Sequence, residues 1–559
     1  MCFLKSDGTA EAVPCPILLA PERAASRNAR PTRSLLLALG LFLVTSISAF
    51  AQGHAVATSV AGGYKIAGTV VGGADGQPLS GAEVSIFPAG TNRVLQTFVT
   101  DSDGRFLFGN VKAGKYLLTA AKGGYPQQSY QGHGQYSTAV VVGAGLVSEG
   151  LLFRMHLGAS ITGTLLDDQN EPIRDAEVRL FRSEQETGVP LNTLVDQTSP
   201  DDRGRYRFSR LAPGKYFVVV SAKPWYAKTG NSLTNRTSSQ SPLDMAYPAT
   251  YYGGATEASA ATPIVLKDGD RVAADIALFP VPGIRLRVRT HEEVGTNVHL
   301  YQPVFSTMIN PPTEAIQGKG VVDIHGLAPG HFLIDFQTGD GLSHSQSLDL
   351  AGDSDVDATT PAQSQIRGVV TPHGLDRVPG GTLVRLTNLQ SSLQFDARPS
   401  VKNEFHFEAN IAPGQYSISV VGPPRAVIGT VSAIGAVVTG HALEIRGTGP
   451  VNLAVTLERS VQINGIAQRN GKPVSGAMMV LVPNDPGHNL ALFRRDQSDS
   501  DGTFSLFNVL PGAYTLLALE NAWDLEWANP AALGQYLKAG KVVNIRADGQ
   551  AERVTVEAQ

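Results

Sequence analysis

Residues Thr100–Leu118 read TDSDGRFLFGNVKAGKYLL, and the same phrase returns along the chain at intervals of about 80 to 120 residues. It reads DDRGRYRFSRLAPGKYFVVV at Asp201–Val220 and DSDGTFSLFNVLPGAYTLL at Asp499–Leu517. Two weaker copies begin at Gly320 and at Asn403. Constant spacing of this kind is typical of a repeated structural unit, so the sequence predicts five units.

The phrase predicts a turn followed by two strands. Gly104 follows an aspartate, and an Asp-Gly pair favours a turn because glycine accepts a positive φ. Phe106 and Phe108 are then predicted on one face and Arg105 on the other, which is typical of a half-buried strand. An aromatic residue opens the second strand in every copy, at positions Tyr116, Tyr216, Phe332, Tyr416 and Tyr514.

A second signature precedes three of the phrases and predicts another turn and strand. It reads DGQPLSGAEVSIF at Asp75–Phe87, QNEPIRDAEVRLF at Gln169–Phe181 and NGKPVSGAMMVLV at Asn470–Val482. With the strands that flank it, each unit contains about six or seven strands in roughly 100 residues. That density predicts an antiparallel Greek-key β-sandwich.

These motifs resemble the carboxypeptidase regulatory-like domain, which is related to collagen-adhesin B-type, transthyretin-like (prealbumin-like) and starch-binding-like (carbohydrate-binding-like) sandwiches. The resemblance implies an all-β tandem array of about five sandwiches, and it implies no peptidase activity, because in metallocarboxypeptidases this domain is an appendage to the enzyme. We expect the domains at residues 60–157, 158–280 with a long loop at 223–254, 281–362 in degenerate form, 363–458 and 459–559.

The N-terminal segment has the pattern of a signal peptide with an atypically long N-region. Arginines precede the apolar run Ser34–Phe50, and small residues follow it, so we expect cleavage after Ala51 and removal of residues 1–51. A membrane anchor is the alternative. Cleavage would leave no membrane span in the mature chain and would place it in the periplasm, on the outer surface or outside the cell. Cys2 and Cys15 both lie in the removed segment.

Charge and motifs exclude several classes of function. The net charge is −4, from 45 basic and 49 acidic residues, so no field draws nucleic acid to the protein. Motifs of zinc hydrolases, serine hydrolases and nucleotide-binding enzymes are absent, so we expect no catalytic residue, no cofactor and no metal. The Asp101–Gly104 turn resembles half of a calcium loop, but aspartate before glycine is also simply favoured in turns.

Aromatic residues recur nine positions after the closing tyrosine of three units, at Tyr125, Trp225 and Trp523. Exposed rings on loops stack against sugars or hold protein partners, whereas rings that fold back cap the core. The predicted ligand-binding residues are these three together with their aromatic neighbours Tyr226, Tyr247, Tyr251, Tyr252 and Trp527.

The sequence therefore predicts a non-enzymatic, exported binding or scaffold protein, associated with carbohydrate or with the cell surface. Polysaccharide or a cell-surface protein is the expected partner. The alternatives are a passive spacer or adhesin-like stalk, or an accessory partner of an outer-membrane transporter or of a secreted hydrolase. The sequence leaves the oligomeric state open.

Overall fold

In the computed structural model, the described residues form mainly β-strands, together with one α-helix and one short 3-10 helix. The predicted signal peptide and part of the predicted loop at 223–254 lie outside the described residues. Within the described part, no helix is both long and apolar enough to span a bilayer. The described residues are 63–559 without 186–187, 189, 228–242, 291–295, 339–342, 360–363, 390–393, 408–410, 423–425, 488, 490–491 and 547–552.

The chain forms five successive pairs of β-sheets, numbered sandwiches 1 to 5 below. In sandwich 1, one sheet has the strand order β4-β1-β8, and the other has the order β3-β2-β5-β6 with β7 also paired to β5. Its strands are β1 Tyr64–Gly72, β2 Glu83–Pro88, β3 Gln96–Val99, β4 Arg105–Val111, β5 Gly114–Lys122, β6 Tyr125–Ser129, β7 Val140–Val142 and β8 Leu151–Met155.

Sandwich 2 repeats this plan with sheets β12-β9-β17 and β11-β10-β13-β15, in which β18 pairs with β9 and β16 with β13. A short 3-10 helix, Ala258–Ala260, lies between β15 and β16. The strands are β9 Ala159–Leu166, β10 Ala176–Glu184, β11 Leu191–Thr198, β12 Arg205–Leu211, β13 Gly214–Ala222, β14 Met245–Ala246, β15 Thr250–Tyr251, β16 Ile264–Leu266, β17 Arg271–Ala273, β18 Ile276–Ala277 and β19 Val281–Pro282, which pairs with β14.

Sandwich 3 has the sheets β23-β24-β20-β27 and β22-β21-β25-β26. Its strands are β20 Ile284–Arg289, β21 Thr296–Val304, β22 Thr307–Ile309, β23 Glu314–Gly318, β24 Val321–Leu327, β25 Gly330–Thr338, β26 Ser343–Leu350 and β27 Ser354–Asp357. Although its front signature is missing from the sequence, it has two complete sheets and a hydrophobic core of its own.

Sandwich 4 has the sheets β31-β28-β36-β33 and β30-β29-β32-β35-β34. Its strands are β28 Ile366–His373, β29 Leu383–Asn388, β30 Gln394–Ala397, β31 Glu404–His406, β32 Gly414–Val421, β33 Ala426–Ile434, β34 Val437–Thr439, β35 Ala442–Ile445 and β36 Val451–Arg459.

Sandwich 5 has the sheets β38-β37-β41, with β44 paired to β37, and β40-β39-β42-β43. It also contains a helix, α1 Pro530–Leu537, between β42 and β43. The strands are β37 Val461–Arg469, β38 Lys472–Pro473, β39 Met478–Pro483, β40 Arg494–Gln497, β41 Thr503–Val509, β42 Gly512–Leu519, β43 Lys541–Ile545 and β44 Arg553–Glu557.

The all-β sandwich class predicted from the sequence is confirmed, with one correction to the strand pairing. The sequence analysis expected purely antiparallel sheets, but in every sandwich the first strand pairs in parallel with a strand near the end of the unit. These pairs are β1–β8, β9–β17, β20–β27, β28–β36 and β37–β44. The parallel pair brings the beginning and the end of each unit into one sheet.

The turn that precedes the first strand of the repeated phrase is bonded to the first strand of its sandwich by the same backbone hydrogen bond in all five units, and the accepting carbonyls belong to Gly104, Gly204, Gly320, Asn403 and Gly502. In sandwich 1, Val70 N donates to Gly104 O at 2.8 Å, and Gly104 has a φ of +70°. A Cβ atom on Gly104 would lie only 2.5 Å from the Val70 carbonyl oxygen. In sandwich 1, glycine therefore suits this position in both conformation and space. Asn403, with a φ of +65°, takes this position in sandwich 4.

The alternating aromatic residues form the core as the sequence predicts. Phe106 and Phe108 are buried between the two sheets, while Arg105 is exposed. The Tyr116 hydroxyl donates to the Lys112 carbonyl at 3.0 Å, so the ring is buried while its polar end is satisfied. The same hydrogen bond to the residue four positions earlier is made by Tyr216, Tyr416 and Tyr514.

Two glycines of sandwich 5 separate the conformational requirement from the steric one. Gly502 and Gly471 have φ values of +77° and +74°, but a Cβ on Gly502 would lie 2.5 Å from Ala467 O, whereas Gly471 has open space. We expect Gly471→Ala to lower the free energy of unfolding by about 1 kcal/mol. Gly502→Ala should cost about 2 kcal/mol more, because strands must move apart. Urea unfolding measures the free energy of unfolding of both variants. Equal losses in the two variants would contradict a steric role of Gly502.

Candidate functional site

The repeated aromatic position has a different environment in each of the three units that carry it. Tyr125 opens β6 and packs half-buried against the core of sandwich 1. The Trp225 side chain is 79% exposed. Trp523 stacks on His133 of sandwich 1, with ring centroids 4.3 Å apart and planes at 4°. The recurrence in sequence therefore does not correspond to one common role.

Most of the other predicted ligand-binding rings lie in the interior, in line with the alternative that the rings fold back and cap the core. Tyr247, Tyr251 and Trp527 are 6%, 3% and 6% exposed. Tyr252 is partly buried and packs against the core of sandwich 2. Their ring faces are covered by protein because they contribute to cores and to contacts between sandwiches. Trp225 and Tyr226 remain as the predicted ligand-binding residues. Their rings meet edge to face, with the ring centroids 5.7 Å apart.

Sandwiches 2 and 3 are joined by an apolar junction. Phe305, in the turn between β21 and β22, packs against Phe181, Phe217 and Tyr251 of sandwich 2, with ring centroids 5.1 to 5.4 Å apart. One continuous hydrophobic cluster contains residues of both sandwiches. Because these four aromatic rings are packed together in the junction, it is held by the same hydrophobic effect as the cores of the two sandwiches.

Sandwich 5 contacts sandwich 1 through polar groups of its Asp-Gly turn. Asp499 pairs with the Lys115 ammonium group at 2.5 Å and accepts a hydrogen bond from Ala139 N at 3.0 Å. Ser500 N donates to Ala139 O at 2.9 Å, and Val141 N donates to the Ser500 hydroxyl at 2.8 Å. The turn that organises the core of sandwich 5 therefore also forms its contact with sandwich 1.

Side chains of β40 extend the same contact. The Gln497 amide donates to Gln131 O at 2.6 Å and to the Thr138 hydroxyl at 2.8 Å. The Arg495 guanidinium lies over the rings of Tyr136, Trp527 and Trp523, at 4.6, 4.9 and 5.4 Å from their centroids. A cation over an aromatic face is stabilised by the ring quadrupole. Two of the predicted ligand-binding rings thus surround a cation of their own chain.

The segment between β42 and β43 connects sandwich 5 to sandwich 2 as well. The Trp527 indole donates to Gln185 O at 2.5 Å, and Ala528 N donates to Gly188 O at 3.2 Å. Helix α1 follows at once, begun by Asn529, whose side chain accepts a hydrogen bond from Ala531 N. The sequence analysis missed this helix, although Asn529 followed by a proline is a helix-start signal.

The contact between sandwiches 1 and 5 encloses titratable groups. Burial raises the pKa of Asp496 to about 6, partly opposed by hydrogen bonds from backbone N–H groups. Burial also raises the pKa of Asp499, an effect that outweighs the nearby Lys115 ammonium group. Burial lowers the pKa of His133, which is stacked on Trp523. The charged forms of all three groups are therefore disfavoured where the two sandwiches meet.

The aspartates that begin the turns of sandwiches 1 and 2 accept hydrogen bonds from the backbone of their own turns. Asp101 accepts hydrogen bonds from Asp103 N at 3.0 Å and from Arg105 N at 2.8 Å. Asp201 makes the equivalent pair of bonds in sandwich 2. Among the residues that the structure describes, no group of three or more His, Cys, Asp or Glu side chains is arranged to hold a metal ion. The carboxylates of these two turns are thus used as turn caps.

Comparison with known families identifies the class of domain. The model of the carboxypeptidase regulatory-like domain matches residues 65–149 and 160–247. These two matches cover parts of sandwiches 1 and 2 and agree with the resemblance that their motifs indicated. A relative, Colossin-A of Dictyostelium discoideum, is 27% identical over 135 residues, which are 23% of this chain and 1% of that protein. The match thus spans a very small part of that relative.

The solved structures that match this chain include three pilins. The shaft pilin SpaA of Lactobacillus rhamnosus GG is 12% identical with a TM-score of 0.20, and the match covers 39% of this chain and 98% of that one. A streptococcal ancillary pilin is 11% identical with a TM-score of 0.17, covering 50% and 99%. The minor pilin of Streptococcus agalactiae is 15% identical with a TM-score of 0.21, covering 39% and 97%. Likeness at this level carries no argument about function.

The raised pKa of Asp496 predicts a pH dependence of stability. Because the folded-state pKa is about 6 against an ordinary 3.8, stabilisation from this group is complete below pH 3.8 and is lost as pH rises through 6. The loss by pH 7 is about 3 kcal/mol at most, since one pKa unit equals about 1.4 kcal/mol. Asp496→Asn should remove this slope and raise stability at pH 7, as measured by denaturant unfolding at several pH values.

Asp376, an exposed aspartate of sandwich 4, provides the control, and Asp376→Asn should leave the pH profile unchanged. If Asp496→Asn shows the same slope between pH 4 and pH 7 as the unmodified protein, Asp496 ionises as an ordinary carboxyl group and its inferred burial in the folded state is incorrect.

Proposed function

We propose that the protein is an exported, non-enzymatic binding scaffold that holds polysaccharide or a cell-surface partner at the outer end of sandwich 2. The observation that carries the proposal is that Trp225 is 79% exposed, whereas Tyr247, Tyr251 and Trp527 are buried and Tyr125, Tyr226, Tyr252 and Trp523 are partly buried. A large exposed aromatic ring has an apolar face to offer, which a sugar ring or an apolar side chain would cover.

The surroundings of Trp225 support a site at this end of the sandwich. The loop that carries Trp225 and Tyr226 follows β13, whose last residue, Ala222, is paired with Ala176 at the start of β10. Burial raises the pKa of Tyr226, and coulombic interaction with Asp168 and Asp167 raises it further, so these carboxylates lie in the surroundings of Tyr226. Carboxylates and hydroxyl groups beside an aromatic face are the groups that bind sugar hydroxyls.

The contacts of sandwich 5 favour a scaffold over a spacer or stalk. A stalk gains length when successive domains touch only their neighbours in sequence. Here the fifth sandwich makes direct hydrogen bonds to the first and to the second. These contacts bring the last sandwich against the first two. A scaffold can use such an arrangement to position binding surfaces, whereas a spacer or stalk would keep its ends apart.

Affinity electrophoresis in gels that contain soluble starch, β-glucan or xylan tests the proposal. We expect one of these polysaccharides to retard the protein, and Trp225→Ala to weaken binding by about tenfold or more, as for other central aromatic anchors. Phe279→Ala is the matched control, because Phe279 is another exposed ring of sandwich 2, at 63% exposure. No retardation by any of the three, or equal effects of both substitutions, would refute polysaccharide binding at Trp225.

A further inference from the structure

Two of the contacts between sandwiches differ in chemistry, the one between sandwiches 2 and 3 and the one between sandwiches 1 and 5. The junction of sandwiches 2 and 3 is one continuous apolar cluster. Where sandwiches 1 and 5 meet, each keeps a hydrophobic core of its own, and no described cluster contains residues of both. The contact consists of an ion pair, backbone hydrogen bonds and stacked rings. Apolar junctions separate only at the cost of exposing core, whereas polar groups are readily solvated on separation.

We propose that sandwich 5 is a releasable latch on sandwich 1, and that the surface formed by Lys115, His133 and residues 138–141 is its receptor. In the closed state this surface binds the turn of sandwich 5 that contains Asp499 and Ser500. In the open state both surfaces are hydrated, while the apolar junction of sandwiches 2 and 3 stays intact. The partner of this receptor surface is the fifth sandwich of the same chain.

The ion pair at the centre of the latch is placed for reversible use. The Asp499 side chain is 14% exposed, whereas the Lys115 side chain is 40% exposed. Lys115 also donates to the Thr503 hydroxyl at 3.0 Å, so one ammonium group holds two residues of sandwich 5. A half-exposed ammonium group regains water easily when the contact opens, which keeps the cost of opening low.

Opening the latch would change which aromatic rings reach solvent. The His133 imidazole covers one face of Trp523 in an almost parallel stack, and Tyr136 of sandwich 1 lies 6.1 Å from the same indole. Both of these rings belong to sandwich 1, so separation uncovers the face of Trp523 on which His133 stacks. Trp225 is thus exposed in either state, whereas this face of Trp523 is covered in the closed state.

Hydrogen exchange of backbone amides tests the latch on the complete chain. Ser500 N and Ala139 N lie on opposite sides of the contact, and each donates across it. A latch that opens as a unit gives these two amides the same opening constant, with faster exchange than Val70 N, which is bonded inside sandwich 1. Lys115→Met should speed both amides by about tenfold, the value expected for loss of a hydrogen-bonded charge.

Lys223→Met is the matched control, because Lys223 forms an ion pair of 3.6 Å with Glu314 of sandwich 3. It should leave the exchange of Ser500 and Ala139 unchanged. In unmodified protein, about 1 M NaCl should accelerate both amides as well, since salt screens the ion pair. Exchange as slow as that of Val70 and insensitive to Lys115→Met would show a permanent fusion, and unprotected exchange would show that sandwich 5 does not dock. Either result overturns the proposal.

Discussion

The hydrogen bond from the first strand to the carbonyl of the turn in the repeated phrase is the constraint on which each sandwich depends. It joins Val70 to Gly104, Leu165 to Gly204 and Ala467 to Gly502, each at 2.8 Å. The bond fixes where the turn strand crosses the first strand, and the alternation of that strand then directs its aromatic residues inward. Because the turn and the core are specified by the same few residues, the motif can be repeated in one chain without a common core.

The same turn acquires a second role in sandwich 5. Asp101 and Asp201 cap their own turns, whereas Asp499 uses its carboxylate for sandwich 1. The neighbouring Asp501 supplies the cap, accepting from Thr503 N at 3.0 Å. A turn with two aspartates can therefore keep its structure and still offer one carboxylate to a partner. This duplication explains how a structural motif becomes a contact surface without loss of the fold.

The features that depend on residues close together in the chain could be predicted from the sequence. Period-two alternation, the positive φ of the turn glycines and the buried closing tyrosines follow from residues near one another in the chain. The contacts of the aromatic rings in the loops could not be predicted in this way. The partners of Trp523 and Trp527 are His133 and Gln185, which lie in other sandwiches. Contacts so distant leave no periodic signal. The domain limits and ligand binding at Trp225 stay predictions.

Carbodiimide coupling of the complete chain, followed by mass spectrometry, tests the return of sandwich 5 to sandwich 1 most directly. This reagent joins an amine to a carboxylate only where the two touch, and Lys115 and Asp499 are 2.5 Å apart. The account predicts a Lys115–Asp499 amide within single chains in dilute solution, together with a Lys223–Glu314 amide from the apolar junction. Formation of the second product without the first would contradict the closed arrangement.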